Sequence, residues 1–259
     1  VPFFLHRRRW VRRRRLASAP LPARWRALLE RRVPLYRGLP APLKARLDGD
    51  IQVFLAEKAF YGCDGLEVDE PMQLIIAAQA CLLQLNLACK YYPTFTSILV
   101  YPDSYVAVDE EHDGEIVTTR RHVRSGESWH RGPVVLSWAD VEFGLSNPGD
   151  GFNVVLHEFA HKLDEQAGEV DGAPALPHDR IDDWAALFGR EYGRLRHRVD
   201  RHRHTVMDEY GADSPPEFFA VAVETFFEKP HQLQRDSPEL YAALAGYFGL
   251  DPGAWIDRH

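Results

Sequence analysis

The residues Val154-Val155-Leu156-His157-Glu158-Phe159-Ala160-His161-Lys162-Leu163 constrain this chain more than any other stretch. Apolar side chains surround the polar ones at helical spacing, so the segment reads as a helix buried in the core. On that helix His157 and His161 stand at i and i+4, on one face and about 6 Å apart at Cβ. Two imidazoles so placed can both ligate one tetrahedral Zn²⁺ at about 2.0–2.1 Å. Glu158, next to the first histidine, can reach a water at the metal without ligating it, which makes it the candidate general base. The apolar flanks that bury it fit a helix forming the back wall of a cleft.

A third ligand has to come from elsewhere. The downstream extension that supplies a third histidine in some metallopeptidases is absent, because Asp164 stands at its glycine position and Ala167 at its histidine position. Glu217, in Ser214-Pro215-Pro216-Glu217-Phe218-Phe219-Ala220, is the better placed carboxylate: it opens a mostly apolar helix, beside phenylalanines that belong in a core. A first-turn carboxylate also suits the helix dipole. Glu224, two turns on and on nearly the same face, is the rival ligand. Asp164 shares the metal face and is either a carboxylate that orients a ligand imidazole or a surface residue. Tyr210, seven residues before Glu217, offers a hydroxyl for an oxyanion. His197, His202 and His204 lie in a polar, arginine-rich stretch and read as solvated.

The surrounding pattern is α+β. Helical periods are expected over 43–60, 71–87, 152–166, 181–197, 215–228 and 237–248, and residues 33–42 read as a proline-rich connector. Between the helices, 94–101, 105–108, 115–123 and 133–138 are rich in β-branched and aromatic residues and predict a small sheet. The 259 residues, 45% hydrophobic, suffice for a large core without a disulfide. No apolar run approaches the roughly 18 residues of a membrane span. Cys63, Cys81 and Cys89 form no metal-type pair and read as reduced, mostly buried thiols, which suits the cytoplasm. Charge is uneven: residues 1–32 hold 11 Arg and one Glu, against 20 basic and 37 acidic residues in the remainder. This separates a basic segment, 1–32, from the domain proper, 33–259. A net-acidic body argues against direct nucleic-acid binding. The run Arg7 to Arg15 reads first as a solvated tail, with anionic lipid, nucleic acid or the acidic body as alternative contacts.

These residues place the chain near a known family. It resembles the Mlc titration factor A family of zinc peptidases, whose catalytic region is similar to that of anthrax lethal factor. The resemblance rests on Asn153 to Asp164, Pro216-Glu217-Phe218-Phe219-Ala220-Val221, Glu224-Thr225-Phe226-Phe227, Leu136-Ser137-Trp138, Phe54 to Lys58 and Ile75 to Cys81. It covers about residues 25–250 and leaves out the arginine run. It implies a mainly helical, zincin-like metallopeptidase domain with a small mixed sheet. It also implies one Zn²⁺ per chain held by His157, His161 and Glu217, with Glu158 and Tyr210 catalytic. The implied activity is aminopeptidase-like hydrolysis of peptide or protein substrates, and the implied partner is Mlc, a glucose-responsive transcriptional repressor. A role as a repressor-binding protein and hydrolysis of other esters or amides are the competing readings. The segment 133–138 is expected to run along the cleft and pair with substrate backbone.

Overall fold

The computed structural model describes residues 2–256 except 89, 104, 114, 115, 125, 129–131 and 169, and describes no side chains for 2–7 and 104–131. Four helices come first: α1 (Pro2–Ser18), α2 (Ala23–Arg32), α3 (Pro34–Gly38) and α4 (Ala41–Glu57). Strand β1 (Ala59–Gly62) and helix α5 (Glu70–Leu83) follow. The middle of the chain supplies β2 (Ser97–Tyr101), β3 (Tyr105–Asp113), β4 (Ile116–Arg124), β5 (Gly126–Ser128) and β6 (Val134–Ser137). The remainder is helical: α6 (Trp138–Ser146), α7 (Val154–Asp164), α8 (Ile181–Val199), α9 (Pro215–Glu228), α10 (Pro230–Asp236) and α11 (Pro238–Phe248).

The main sheet has the order β1-β2-β6-β5. Strands β1, β2 and β6 are parallel, with Ile98 opposite both Phe60 and Val134, and β5 joins β6 antiparallel. Strands β3 and β4 form a separate antiparallel ribbon. Helices with a small mixed sheet make the domain α+β, as the pattern indicates. Most helices start where sequence chemistry dictates. Asp69, Ser137, Asn153 and Ser214 each accept a hydrogen bond from a first-turn N–H, at Met72, Asp140, Leu156 and Glu217 respectively. Prolines at the first positions of α5 and α9 are already set for helix.

The core is built on α5, α7 and α9. Ile75, Ile76, Ala77, Leu156, Phe159, Ala160, Phe219 and Val223 have no exposed surface, and Phe54, Tyr92, Phe95 and Phe159 meet edge to face or tilted, with centroids 4.9–6.3 Å apart. This geometry favours aromatic pairs over face-to-face stacking. The expected helix 43–60 ends early because Lys58 turns inward. Its Nζ donates to the carbonyls of Tyr92 and Phe95, and Ala59 N–H pairs with Thr96 as β1 begins. The segment 33–42 contains α3, where Pro34 starts a helical turn. Helix α6 replaces the end of the strand expected to reach Trp138, because Ser137 caps it. Cys81 is buried and Cys63 half-buried, both as free thiols, whereas Cys89 lies outside the described residues.

The basic segment is not a free tail. Helix α1 lies along α4, with the guanidinium groups of Arg9 and Arg13 on the Glu57 carboxylate at 2.7 and 2.6 Å. Arg26 and Arg32 reach Asp48 and Glu142, so the arginines answer part of the acidity of the body. Burial tends to raise the Glu57 pKa, but the two arginines outweigh it and draw it from 4.5 down to about 2. A lowered folded-state pKa contributes stability above the unfolded value, and that contribution is lost as pH falls through the folded value. The stability difference between wild type and Glu57→Gln should therefore be full at neutral pH and shrink below pH 4.5 toward 2. Urea denaturation of both proteins at pH 7 and about pH 3 measures it, and a difference that does not change with pH refutes the assignment.

Candidate metal centre

Helices α7 and α9 pack antiparallel, and the contacts between them run along three turns. At one end, His157 Nε2 is 3.0 Å from Glu217 Oε2, and His161 Nε2 is 3.4 Å from the same oxygen. The two Nε2 atoms are 3.2 Å apart. Glu217 Oε2 is buried and accepts no hydrogen bond. Donor atoms of a tetrahedral ion bonded at 2.0–2.1 Å stand about 3.3 Å apart. The three atoms thus form one face of such a tetrahedron, and the orphaned oxygen points where an ion would sit. The residues fit a metal, and among the described residues theirs is the group of histidine and acidic side chains placed to hold one. Rival Glu224 does something else. Its Oε1 accepts the Nδ1 proton of His157 at 2.7 Å, and this leaves the Nε2 lone pair facing His161 and Glu217.

Behind this pair lies a buried polar ladder. Glu224 Oε2 also accepts the backbone N–H of Asn153. The Asn153 side chain caps α7 through Oδ1, and its Nδ2 donates to Gln79 Oε1 at 2.8 Å and to Glu228 Oε1 at 3.0 Å. Glu228 Oε2 takes the Gly149 N–H at 2.9 Å. Glu217, Glu224 and Glu228 therefore address successive turns of α7 and the loop before it. Asn153, Gln79 and Glu228 were not singled out by sequence reasoning. The available signals were an Asn at a helix start and three glutamates spaced by seven and four on one helix.

Charge in the site is shaped by burial. Glu158 is 4% exposed, and its Oε2 has no hydrogen-bond partner. Burial raises its pKa from 4.5 to about 7, although the imidazoles oppose the shift. Burial likewise lifts Glu228 to about 7. Burial works against ionised Glu217 too, but His157 and His161 hold its pKa well below the usual carboxylate range. The carboxylates around His157 raise its own pKa in spite of burial.

The remaining sequence candidates divide. Tyr210 sits on a 3₁₀ turn, Glu209–Ala212, tied by Asp208 to the Tyr210 N–H. Its ring lies 5.8 Å from that of His157 and is half exposed. Asp164 is fully buried but orients no imidazole. Its Oδ2 accepts the Gly172 N–H at 2.8 Å and fixes the loop that follows α7. Gly172 has φ +86°, and a Cβ there would fall 2.5 Å from the Pro215 carbonyl at the start of α9, so this close approach requires glycine. His197, His202 and His204 are exposed, as expected. The segment 133–138 cannot pair with a substrate strand, because β6 already has β2 on one side and β5 on the other.

The ladder yields a prediction. Asn153→Ala removes the cap and leaves Gln79 and Glu228 short of a donor, so it should cost on the order of 2–4 kcal/mol. Asn153→Asp keeps a good cap but sets a carboxylate against Glu224 and Glu228, and should destabilise at least as much. Urea denaturation at neutral pH tests both, and an Asp variant as stable as wild type would show that the Nδ2 bonds contribute nothing.

With the geometry in place, comparison with known proteins is informative. Residues 7–249 match the family model of the glucose-regulated metallo-peptidase M90 family. The match takes in the arginine run, which the sequence resemblance had left out. An uncharacterized protein of Synechocystis sp. is 41% identical over 244 residues, covering 93% of this chain and 89% of the relative. Mlc titration factor A of Cronobacter sakazakii is 32% identical over 247 residues, 94% of this chain and 91% of the relative. Mlc titration factor A of Yersinia pestis is 32% identical over 256 residues, 96% and 93% of the two chains. A match that runs through α7, α9 and nearly the whole chain shows that the protein belongs to the glucose-regulated metallo-peptidase M90 family.

Proposed function

We propose that the chain is a zinc-dependent peptidase of aminopeptidase-like action, with His157, His161 and Glu217 as metal ligands. The observation that carries this reading is the convergence of three donor atoms, 3.0, 3.2 and 3.4 Å apart, on one point. Nitrogen and carboxylate donors in a set of three suit a catalytic Zn²⁺, which when bound polarises a carbonyl and acidifies water. Glu158 takes a proton from the attacking water and returns it to the leaving amine. Its burial keeps the carboxylate dry and unpartnered, ready for that water. Glu224 fixes the tautomer and orientation of His157. Tyr210, half exposed beside His157, donates to the oxyanion of the scissile carbonyl. An extended peptide pairs with β5, whose side away from β6 joins no other described strand.

The names of the relatives favour a second activity, capture of an Mlc-like transcriptional repressor. Such a partner, together with free thiols at Cys63 and Cys81, fits a cytoplasmic protein. No helix among the described residues is long and apolar enough to cross a membrane.

Substitutions separate the roles. Glu158→Gln should lower peptide hydrolysis by about 10²–10⁴-fold and leave zinc bound. Glu217→Ala should lose both zinc and activity, whereas Glu224→Ala should weaken zinc by roughly 10–100-fold. Metal analysis and zinc titration of the three variants decide the assignment. Loss of zinc from Glu158→Gln, or wild-type affinity in Glu217→Ala, overturns it. Unchanged repressor binding by Glu158→Gln would show that capture does not need hydrolysis.

A further inference from the structure

Helix α1 has two different faces. The inner face is fixed to α4: Arg9 and Arg13 pair with Glu57, Arg12 donates to the Ala56 carbonyl at 3.1 Å, and Gly49 admits the backbone of Ala17. At Gly49 a Cβ would lie 2.5 Å from the Ala17 carbonyl oxygen, so the two helices touch backbone to backbone. The outer face presents Arg8, Arg14 and Arg15, all exposed and without an ion pair among the described residues. Between them lie Trp10, 58% exposed, and Val11, 53% exposed. The Arg14 guanidinium stands 5.3 Å over the Trp10 ring.

We propose that α1 docks the protein on an anionic phospholipid surface. Unpaired arginines beside an exposed indole and a valine match a boundary that is charged outside and apolar just beneath. Tryptophan prefers that boundary, and arginine satisfies lipid phosphate while its stem stays apolar. The shape agrees, since a helix fixed lengthwise to the body can lie tangent to a plane. Its diameter of about 10–12 Å holds the acidic body beyond a Debye length of about 8 Å from that plane. Nucleic acid is the poorer match. A duplex offers no apolar layer to Trp10 and Val11, and wrapping it would bring phosphates against the 37 acidic residues outside the basic segment. The remaining arginines of that segment largely serve the fold, with Arg24, Arg26 and Arg32 on Glu70, Asp48 and Glu142.

Each arginine near an anionic leaflet strengthens binding roughly fivefold, so three contribute about a hundredfold. The test is co-sedimentation of the full chain with vesicles of phosphatidylcholine alone, or of equal parts phosphatidylcholine and phosphatidylglycerol. Wild type should bind the mixed vesicles only and release as salt is raised. The triple variant Arg8→Gln, Arg14→Gln, Arg15→Gln should bind about a hundredfold more weakly, and Trp10→Ser should also weaken binding. Both should melt like wild type, because these side chains hold no part of the fold. Equal binding to neutral and mixed vesicles, no binding to either, or a triple variant that binds like wild type overturns the proposal. So does a short DNA or RNA strand that binds more tightly than the mixed vesicles, which would make nucleic acid the occupant.

Discussion

The hydrogen bond between Glu224 and His157 is the contact on which the candidate metal centre depends. It joins the two helices that supply all three donor atoms, and it selects the imidazole tautomer that turns Nε2 toward the other two. The second oxygen of the same carboxylate holds the Asn153 N–H, and Asn153 caps the helix that carries both histidines. One side chain thereby links ligand orientation to the start of the ligand helix. A shift of Glu224 would move His157 and loosen the beginning of α7 together.

So many carboxylates between two helices need a reason. An isolated charge in a dry interior is costly, and each carboxylate here is either paired or left short of a partner for cause. Glu224 and Glu228 receive N–H groups from Asn153 and Gly149. Asp164 receives Gly172 and ties the loop after α7 to the start of α9. Glu217 and Glu158 keep an oxygen with no hydrogen bond, and these two flank the point where the imidazoles converge. Asp164 Oδ1 is likewise buried without a hydrogen bond, but the unsatisfied Glu217 oxygen lies within 3.4 Å of both imidazoles, as expected of a site completed by a cation.

The candidate site residues were legible because spacing on a helix fixes geometry. His157, His161 and Glu158 follow from one turn of helix, and Glu217 follows from a carboxylate oddly placed among phenylalanines. The fold class and most helix spans follow from periodicity and from caps such as Ser214 and Asn153. Other features depend on distant contacts that no local pattern encodes. The turn at Lys58 needs the carbonyls of Tyr92 and Phe95, more than thirty residues on. Helix α1 looks like a tail until Glu57 is brought beneath it. Asp164 lies on the metal face by periodicity, yet the loop returning at Gly172 claims it first. The segment 133–138 looked suited to a substrate strand because sequence does not reveal that β5 would fold back to cover it.

Glu57 and Glu158 show how one residue type is turned to opposite ends. Both are largely withdrawn from water, so burial pushes each carboxyl upward. At Glu57 two guanidinium groups reverse the push, and the carboxylate stays ionised as a structural anchor for α1. At Glu158 the imidazoles oppose the push without reversing it and one oxygen stays unpartnered, so burial raises its pKa to about 7. A fully paired carboxylate has no capacity to exchange a proton; one poised near 7 does. A guanidinium moved against Glu158 would draw its pKa down as at Glu57, while removing those at Glu57 would leave a buried carboxylate short of partners.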